Sequence, residues 1–378
     1  MSSNRCRILI FTQNDWFFHL HFMHLGSALV EDGHEVILTC NVDKHQDAIE
    51  AIGINVHPLQ RLRVSSLDVR DQLLFLVEFY QLVRELKPDV AIFLSPKPIL
   101  LGSFVARLAA VPAFLSIVTG LGFLFLGQGG RYALLQRIVM GIWKWTHSLD
   151  RSRMLFENRT DREFLIESGV VPAHRAVLIG GEGTDLDLFH PGKRENDVPV
   201  IVFGARMIRE KGVEVLVEAA RILRKQQVPY RVLLCGSPDP GNPSTLTAEE
   251  LTGYAEEGVV EWLGHVDNFA ELLATADIGC LPTYYREGMP KFLMDAAAAG
   301  LPLVTTNAPG CEDVVEHGVN GFIVPKRDAV SLAEALAVLL QNPEKRIAMG
   351  KASRERAEAE FSHDKYANNV MAALADVL

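Results

Sequence analysis

Short apolar runs alternate with helical patterns along the chain, and this alternation occurs twice within the 378 residues. In the first half, patterns such as Met23–Glu31 and Leu73–Leu86 predict helices between the strand-like runs CRILIFT, EVILTC, VAIFLS and AFLSIVT. After residue 195 the strand-like runs are VPVIVFGA, YRVLLCG, GVVEWLG, DIGCLPT, LPLVTTN and GFIVP. Such alternation predicts a parallel sheet with helices on both faces. The chain is therefore predicted to be α/β, with two doubly wound Rossmann-like domains.

A polar segment at residues 189–199, FHPGKRENDVP, indicates where the two domains are joined. We expect an N-terminal domain over residues 1–190 and a C-terminal domain over residues 195–360, because a chain of this length is too long for one core. Residues 361–378 predict a closing helix that packs back toward the N-terminal domain. Ligands of doubly wound sheets bind at the carboxyl ends of the strands, so two domains facing each other would form a ligand-binding cleft.

Charge and motif content exclude several classes of protein. The formal net charge of −10 argues against nucleic acid as a partner. Five scattered cysteines without a CxxC pair indicate reduced, buried thiols in a cytoplasmic protein, and the N-terminus lacks the apolar core of a signal peptide. Residues 108–130 are uncharged, but their glycines and proline favour a buried strand and a loop over a membrane span. No GxGxxG, GxxxxGK[ST] or GxSxG motif follows a strand.

One basic region suggests a membrane surface as a partner. Residues 97–162 carry nine Lys and Arg against three Asp and Glu, a local balance of nine minus three, +6. Within it, GRYALLQRIVMGIWKWTHS combines apolar and aromatic residues at helical spacing with Arg131, Arg137 and Lys144. A basic amphipathic helix can lie on an anionic membrane. A core helix with a solvated face is the equally acceptable alternative.

Cations follow two strands of the second domain at points where helices begin. Arg206, Arg209 and Lys211 follow VIVFG and precede a helix that starts near Gly212. Lys291 follows Pro290, which is predicted to be the first residue of another helix. Cations oppose the dipole at a helix N-terminus unless an anion shares the site, so the pattern predicts a diphosphate site. The alternative is that these long side chains simply extend into water.

Two carboxylates, Glu287 and Asp295, flank the second of these helix starts. Eight positions separate them, so they are predicted to lie on either side of the phosphate site, where carboxylates can accept hydrogen bonds from sugar hydroxyls. A glycosidase-like acid and base would have to face each other across one bond, which this spacing does not favour. The Asp185–Leu186–Asp187 sequence and the histidines His19, His21 and His24 lack further ligands at suitable spacing, so no metal site is predicted.

These motifs together resemble a known family. GARMIREKG followed by YYREGMPKFLMDAAAAGLPLVTTNAPGCEDVVEHGVNGFIVP resembles the signature of family-4 retaining glycosyltransferases of the GT-B fold. GEGTDLDLFHP resembles the family's interdomain G-V-D-x-x-x-F-x-P segment, with Thr184 in place of valine. DWFFHLHFMHLGSALVEDGHEV and SIVTGLGFLF are similar to the subgroup that extends polyprenyl-diphosphate-linked sugars in bacterial surface polysaccharide or glycan assembly.

The resemblance implies a role for each matching residue. It implies that Arg206, Lys211 and Glu287 act in catalysis, the first two on the donor diphosphate and the third on the donor sugar. Donor-binding residues are implied at Gly204, Arg206, Lys211, Gly236, His265, Glu287, Gly288, Met289, Pro290, Lys291 and Asp295. Acceptor-binding residues are implied at Trp16, His19, His21, Thr119 and Gly120.

The sequence departs from the family pattern at three of these places. Asp295 replaces the second glutamate of the E-x7-E motif, which binds ribose, and it is one methylene shorter. Phe22 replaces the arginine that usually follows the histidine at position 21. Thr119 and Gly120 stand where many members have a histidine, so the identity of any protein base is open.

The implied activity is transfer of a hexose or N-acetylhexosamine from a UDP-sugar to a lipid-linked glycan. Retention would come from front-side displacement, in which a donor phosphate oxygen can take the acceptor's proton, with no metal or other cofactor. We expect the protein in the cytoplasm, bound peripherally to the inner face of the membrane. A GT-B nucleotide-sugar epimerase and a non-catalytic nucleotide-sugar-binding subunit are the alternatives.

Overall fold

The structure, a computed structural model, describes residues 5–62, 69–122, 125, 127 and 129–378. The chain divides into two compact units, Met1–Glu182 with His363–Leu378, and Gly183–Ser362. The division falls at Glu182–Gly183, before the polar segment 189–199 expected as the linker. Each unit contains one parallel sheet, which confirms the predicted α/β class.

Among its described residues, the first unit contains seven strands in the order β3-β2-β1-β4-β5-β6-β7. Its strands are β1 (Arg7–Asn14), β2 (Glu35–Asn41), β3 (Asn55–Pro58), β4 (Val90–Leu94), β5 (Ala113–Val118), β6 (Ser152–Phe156) and β7 (Ala176–Leu178). Its α-helices are α1 (Asp15–His21), α2 (Met23–Glu31), α3 (Gln46–Glu50), α4 (Val69–Leu86), α5 (Pro96–Leu108), α6 (Gly130–Thr146), α7 (Arg159–Glu167) and, from the end of the chain, α15 (His363–Ala375).

Both faces of this sheet are buried because successive side chains of a strand point to opposite sides. Along β1, Leu9 and Phe11 enter a core with residues of α4, α5 and α6. Ile8 and Ile10 enter a second core with residues of α1, α2 and α15. Strand order reverses between β1 and β4, which makes the carboxyl ends of these strands the switch point of the sheet.

The C-terminal segment completes the second of these cores. Tyr366, Val370 and Leu374 of α15 are buried beside Phe22 and the leucines of α2. Polar contacts fix the same segment: Arg151 donates to the carbonyls of Val377 and Leu378 at 2.6 Å, Arg153 pairs with Asp376 at 2.6 Å, and Asn369 donates to the Ile179 carbonyl at 2.9 Å. Helix α15 is therefore an integral part of the first unit.

The second unit contains six strands in the order β10-β9-β8-β11-β12-β13. Its strands are β8 (Val200–Gly204), β9 (Arg231–Cys235), β10 (Glu261–Gly264), β11 (Ile278–Leu281), β12 (Leu303–Thr306) and β13 (Gly321–Val324). Its α-helices are α8 (Val213–Lys225), α9 (Ala248–Glu256), α10 (Phe269–Thr275), α11 (Lys291–Ala298), α12 (Cys311–Val314), α13 (Ala329–Leu340) and α14 (Pro343–Glu360). Strand order reverses between β8 and β11, so their carboxyl ends define its switch point.

Local sequence explains where several of these helices begin. Thr247 and Glu250 form a capping box at the start of α9, and the side chains of Asp328 and Asn342 accept backbone N–H groups at the starts of α13 and α14. In α8, Val213, Leu216, Val217, Ala220 and Leu223 are buried, a spacing that places one face of the helix on the core.

The predicted strands are all present, and three strands were missed. The runs quoted from the sequence correspond to β1, β2, β4 and β5 in the first unit and to β8 to β13 in the second. The additional strands β3, β6 and β7 have five residues or fewer. The prediction that Pro290 is the first helical residue was wrong by one position, because Pro290 is the N-cap and α11 begins at Lys291.

Within the described part of the chain, no helix is both long and apolar enough to cross a membrane. The uncharged stretch 108–130 contains the end of α5, the fully buried strand β5 and the first residue of α6, and residues 123, 124, 126 and 128 within it lie outside the described residues. All five cysteines are buried and free, as predicted.

Candidate functional site

The second-unit switch point gathers the charged residues predicted from the sequence. Arg206 and Lys211 follow β8, and Glu287 and Lys291 follow the neighbouring strand β11. Helices α8 and α11 also begin here, after Gly212 and Pro290. The site thus combines two helix N-termini with several charged side chains at the edge where doubly wound sheets bind ligands.

Lys211 and Glu287 contact each other directly, although 76 positions separate them in the sequence. Both side chains are only 13% exposed, and the Thr283 hydroxyl also lies 3.4 Å from the Glu287 carboxylate. The turn that places Lys211 requires glycine next to it: Gly212 has φ +84°, and a Cβ there would lie 2.1 Å from the Pro282 carbonyl oxygen. This contact joins the carboxyl ends of β8 and β11.

Arg206 forms the exposed part of the site. Its side chain is 55% exposed and donates to the Asp239 carboxylate at 2.5 Å. Asp239 lies on the loop that begins at Gly236, where φ is +144° and a Cβ would lie 1.9 Å from the Ala205 carbonyl oxygen. Arg209, three residues further on, pairs instead with Glu214 and Glu250, which hold the start of α8 to the start of α9.

Lys291 and Asp295 are part of a buried network at the start of α11. The Asp295 Oδ1 atom accepts from the Lys291 ammonium at 3.0 Å and from the Thr184 hydroxyl at 2.6 Å. Thr184 is fully buried, and Asp295 is 5% exposed. The Lys291 ammonium also lies 3.4 Å from the Gly183 carbonyl oxygen. Two of the departures from the family pattern, threonine for valine at position 184 and aspartate for glutamate at position 295, therefore contact each other.

The remaining predicted donor-binding residues surround this network or lie on nearby loops. Gly288, Met289 and Pro290 are buried just before α11. Gly204 ends β8, and a Cβ there would meet the rings of Phe269 and Phe292 at 2.6 Å. His265 follows β10 and is 79% exposed, with Nε2 3.5 Å from Asp267.

Each of the four cations of the predicted phosphate site contacts a carboxylate: Arg206 with Asp239, Arg209 with Glu214 and Glu250, Lys211 with Glu287, and Lys291 with Asp295. Helix N-termini with adjacent Lys and Arg are a common arrangement for binding phosphate groups. The contacts of Asp239 and Thr184 are not predictable from the sequence, because nothing local in it connects these residues with Arg206 and Asp295.

The predicted acceptor residues lie at the carboxyl edge of the first-unit sheet, after β1 and β5. Trp16 is 46% exposed on α1, and its edge meets Phe17. Thr119 and Gly120 directly follow β5. His19 stacks on His45 with ring centroids 4.4 Å apart. Burial lowers the pKa of His19, and the neighbouring His45 lowers it further.

His21 pairs with Glu182, a residue that no sequence motif points to. Its Nδ1 atom lies 2.6 Å from Oε1 of Glu182, and the two side chains are 18% and 10% exposed. Glu182 lies after β7 within GEGTDLDLFHP, and the signal that could have found it is a carboxylate at the carboxyl edge of the sheet. Phe22, in the place of the family arginine, is fully buried in the core.

The Asp185–Asp187 pair has a local structural role. The Asp185 carboxylate accepts the backbone N–H groups of Asp187 and Leu188 at 3.0 and 2.9 Å, which stabilises the turn that they form. Among the residues that the structure describes, no group of three or more His, Cys, Asp or Glu side chains is arranged to hold a metal ion.

Comparison with known families identifies the chain. The family described as "Glycosyl transferases group 1" matches residues 187–356, and that described as "Glycosyl transferase 4-like" matches residues 7–146. The chain belongs to the family-4 glycosyltransferases. The two matches together span both units, and the family is the one that the sequence motifs resemble.

Two curated relatives match this glycosyltransferase over most of its length. The N,N'-diacetylbacillosaminyl-diphospho-undecaprenol alpha-1,3-N-acetylgalactosaminyltransferase of Campylobacter jejuni is 25% identical over 348 residues, 88% of this chain and 89% of the relative. The capsular polysaccharide biosynthesis glycosyltransferase CapM of Staphylococcus aureus is 23% identical over 370 residues, 93% of this chain and 94% of the relative.

Solved structures confirm the fold of this glycosyltransferase. The structure of Anabaena HepE in complex with UDP and glucose superposes with a TM-score of 0.78 at 17% identity, and the match covers 98% of this chain and all of HepE. The predicted GT-B fold class is therefore confirmed.

Proposed function

We propose that this glycosyltransferase transfers a hexose or N-acetylhexosamine from a UDP-sugar, with retention of configuration, to a polyprenyl-diphosphate-linked sugar in bacterial surface polysaccharide or glycan assembly. The main support for a UDP-sugar donor is the contact of Lys211 with Glu287 at the second-unit switch point, where two helices begin. The acceptor half is supported by the Campylobacter jejuni relative, whose name specifies a diphospho-undecaprenol-linked acceptor.

Lys211 and Arg206 would bind the donor diphosphate and offset the negative charge that grows on it as the sugar–oxygen bond breaks. Glu287 would accept hydrogen bonds from the donor sugar's hydroxyls. Because Glu287 also contacts Lys211, the same pair would link sugar recognition to leaving-group stabilisation.

Lys291 would add a further positive charge at the start of α11, held in place by Asp295 and Thr184. Asp295 would contact the ribose, and the loops at Gly236 and His265 would face the base. Because these cations supply positive charge for the diphosphate, we propose that no metal ion or other cofactor takes part. Turnover in excess EDTA should then equal turnover without it.

The proposed acceptor is anchored in a membrane, so we also propose that the enzyme binds the cytoplasmic membrane surface through α6. Leu134, Ile138 and Trp145 share one face of this helix and are 61%, 50% and 43% exposed. Arg137 and Lys144 are exposed beside that face. Helix α4 adds a second exposed apolar row, formed by Leu73, Val77 and Tyr80, and both helices pack on the same core through Phe79 and Trp143.

Vesicle binding tests this membrane proposal. Replacing Arg131, Arg137 and Lys144 with glutamine should weaken binding to anionic vesicles roughly 100-fold, because each basic residue near such a surface contributes about 1 kcal/mol. Replacing the exposed residues Arg224, Lys225 and Arg231 of the second unit in the same way is the matched control and should leave binding unchanged. Equal partitioning of the two triple variants would contradict the proposal.

The transfer proposal is tested first by a thermal-unfolding screen of UDP-, GDP- and TDP-sugars. A donor present at 100 times its Kd should stabilise the fold by about 2.7 kcal/mol. The stabilising donor is then incubated with and without a short polyprenyl-diphosphate-linked sugar, and free UDP and the anomeric configuration of the product are measured. UDP release that requires the acceptor, with a product of unchanged configuration, is expected.

Other outcomes of this assay would support different activities. An epimerised nucleotide sugar formed without acceptor would indicate the epimerase instead. Tight UDP binding with no turnover on a broad acceptor panel would indicate a binding subunit. A product of inverted configuration would contradict the proposed retention.

A further inference from the structure

Thr283 joins the two loops that carry Lys211 and Glu287. It is the second residue after β11, and it is fully buried. Its hydroxyl oxygen lies 3.0 Å from the carbonyl oxygen of Glu210, the residue before Lys211, and 3.4 Å from Oε1 of Glu287. The Tyr285 N–H donates to the same hydroxyl at 3.1 Å. One buried side chain therefore contacts both loops.

The Thr283 hydroxyl has a single hydrogen for two acceptors. Because the Tyr285 N–H approaches its lone pairs, the hydrogen points either at the Glu210 carbonyl or at the Glu287 carboxylate. The contact with Glu210 is the shorter one, so the hydroxyl donates to that carbonyl. Oε1 of Glu287 meanwhile accepts a hydrogen bond from the Lys211 ammonium.

The hydroxyl of Thr283 can turn from Glu210 to Glu287 at little cost in free energy. The Glu210 carbonyl also accepts the Tyr284 N–H at 2.8 Å, so it keeps a hydrogen bond when the hydroxyl turns away. A buried carbonyl becomes costly only when it has no partner left. Rotation of the O–H bond is sufficient, because Oγ1 already lies 3.4 Å from Oε1 of Glu287.

Donor binding creates a need for this turn. In the proposed reaction the Lys211 ammonium turns from Glu287 toward the donor diphosphate. Oε1 of a carboxylate that is only 13% exposed then loses a charge-assisted hydrogen bond, just as the carboxylate must accept bonds from sugar hydroxyls. The Thr283 hydroxyl is within reach of that atom, and its backbone is held by β12, because the Thr306 hydroxyl donates to the Thr283 carbonyl.

We propose that Thr283 positions Glu287 for the donor sugar, an inference that rests on the proposed function. In the free enzyme the Thr283 hydroxyl donates to the Glu210 carbonyl. When Lys211 moves to the donor diphosphate, the hydroxyl turns to Oε1 of Glu287 and holds the carboxylate toward the sugar hydroxyls. Thr283 thus acts through Glu287 and does not itself contact the donor.

The experiment compares binding of UDP with binding of UDP-N-acetylgalactosamine, or of another screened UDP-sugar that stabilises the enzyme more, in Thr283→Val. UDP has the diphosphate without the sugar and reports on Lys211, whereas the intact donor also reports on Glu287. Calorimetry should show UDP affinity within about 3-fold of the unsubstituted enzyme, and donor affinity and kcat each lower by roughly 10-fold. Thr283→Ala, which also lacks the hydroxyl, should behave in the same way, and Thr283→Ser, which keeps it, should not.

A second background and a matched control separate this role from a loss of fold stability. In Glu287→Ala, the further substitution Thr283→Val should change kcat and donor affinity by less than about 2-fold, because the two residues share one interaction. Thr305 is an equally buried threonine whose hydroxyl donates to the Leu281 carbonyl at 2.8 Å. Thr305→Val should therefore leave the ratio of donor affinity to UDP affinity unchanged.

The outcomes distinguish the inference from the proposed function. An unchanged affinity ratio in both hydroxyl-free variants of Thr283, an equal loss with and without Glu287, or the same change in Thr305→Val would overturn the inference alone. An unsubstituted enzyme with no acceptor-dependent UDP release would overturn the proposed function and the inference with it.

Discussion

The two units share a doubly wound plan but expose different chemistry. In the first unit, large apolar side chains are exposed in rows on α4 and α6 and at Trp16 and Leu20 of α1. In the second unit, the switch point carries Arg206, Lys211 and Lys291, each in contact with a carboxylate. The same architecture thus supports an apolar surface in one unit and an ionic site in the other. Side chains at the edges and outer faces, rather than the fold, determine what each unit can bind.

The largest effect should come from the ionic site. Lys211→Ala and Glu287→Ala should each lower kcat by roughly 100- to 1,000-fold, because a fixed group that stabilises transition-state charge contributes that much. Steady-state UDP release with a saturating donor measures this. Lys193→Ala, a side chain 81% exposed in the same unit, is the control and should turn over normally. Full turnover of both site variants would remove this site from the mechanism.

The next largest effect should be a loss of stability in acid. It should occur in the first unit, which contains a buried histidine. His147 is fully buried, with Nδ1 2.9 Å from the Trp143 carbonyl oxygen and Nε2 2.9 Å from the Ser116 hydroxyl. Burial lowers its pKa to about 4, and the Arg175 charge lowers it further, against the hydrogen bond to Trp143. The second unit's histidines, at positions 190, 265 and 317, are all exposed.

A histidine with a lowered folded-state pKa contributes stability above its unfolded pKa and loses it as the pH falls. Between pH 6.5 and pH 4, the first unit should therefore lose about 3 kcal/mol of unfolding free energy through His147. Hydrogen exchange resolved by peptide should show first-unit protection falling before second-unit protection. His147→Gln should flatten this dependence and His174→Gln should not. Simultaneous loss of protection in both units would contradict the prediction.

The network at α11 should give a smaller effect, confined to the second unit. Thr184→Val removes the hydroxyl that donates to buried Asp295, which should lower the unfolding free energy by about 1–3 kcal/mol. In an Asp295→Ala background the same substitution should cost less, because the two residues share one interaction. Urea denaturation followed by Trp262 fluorescence measures both. Equal costs in the two backgrounds, or an equal cost for exposed Thr275→Val, would show that the contact contributes nothing.

The smallest effect is expected at the Arg206–Asp239 pair, the most exposed ion pair of the site. Asp239→Asn removes the carboxylate that competes for Arg206, so UDP should bind more tightly, by the roughly 0.2–1 kcal/mol that such a pair is worth. Titration calorimetry at low and high salt measures this, and the gain should shrink at high salt because exposed charges are screened. Weaker UDP binding in Asp239→Asn would show that Asp239 supports the site rather than competing with the ligand.

What could be predicted from the sequence depended on how far apart along the chain the interacting residues are. The ten predicted strands are found because each is an apolar run that is largely buried in its sheet. Strands β3 and β7 were missed because NVHP and AVL are too short to show a period, and the run SRMLF of β6 is interrupted by Arg153. Such short strands form because they pair with neighbouring strands, and their own hydrophobic pattern does not reveal them.

The candidate site shows the same limit. Lys211, Glu287 and Lys291 were predictable because they follow strands and precede helices, which is a local pattern. Three other contacts were not predictable, because Arg206–Asp239, Thr184–Asp295 and His21–Glu182 join positions 33, 111 and 161 residues apart. Only the folded strand order brings such residues together.

The placement of α15 in the first unit has a consequence for how the protein is made. Tyr366, Val370 and Leu374 fill a core that also contains Ile8 and Ile10 of the first strand. The ribosome therefore synthesises the whole of Gly183–Ser362 before it synthesises α15, which covers one face of the first-unit sheet. The later-encoded unit can finish folding first, while the earlier one waits with an open hydrophobic face that a nascent-chain chaperone would recognise.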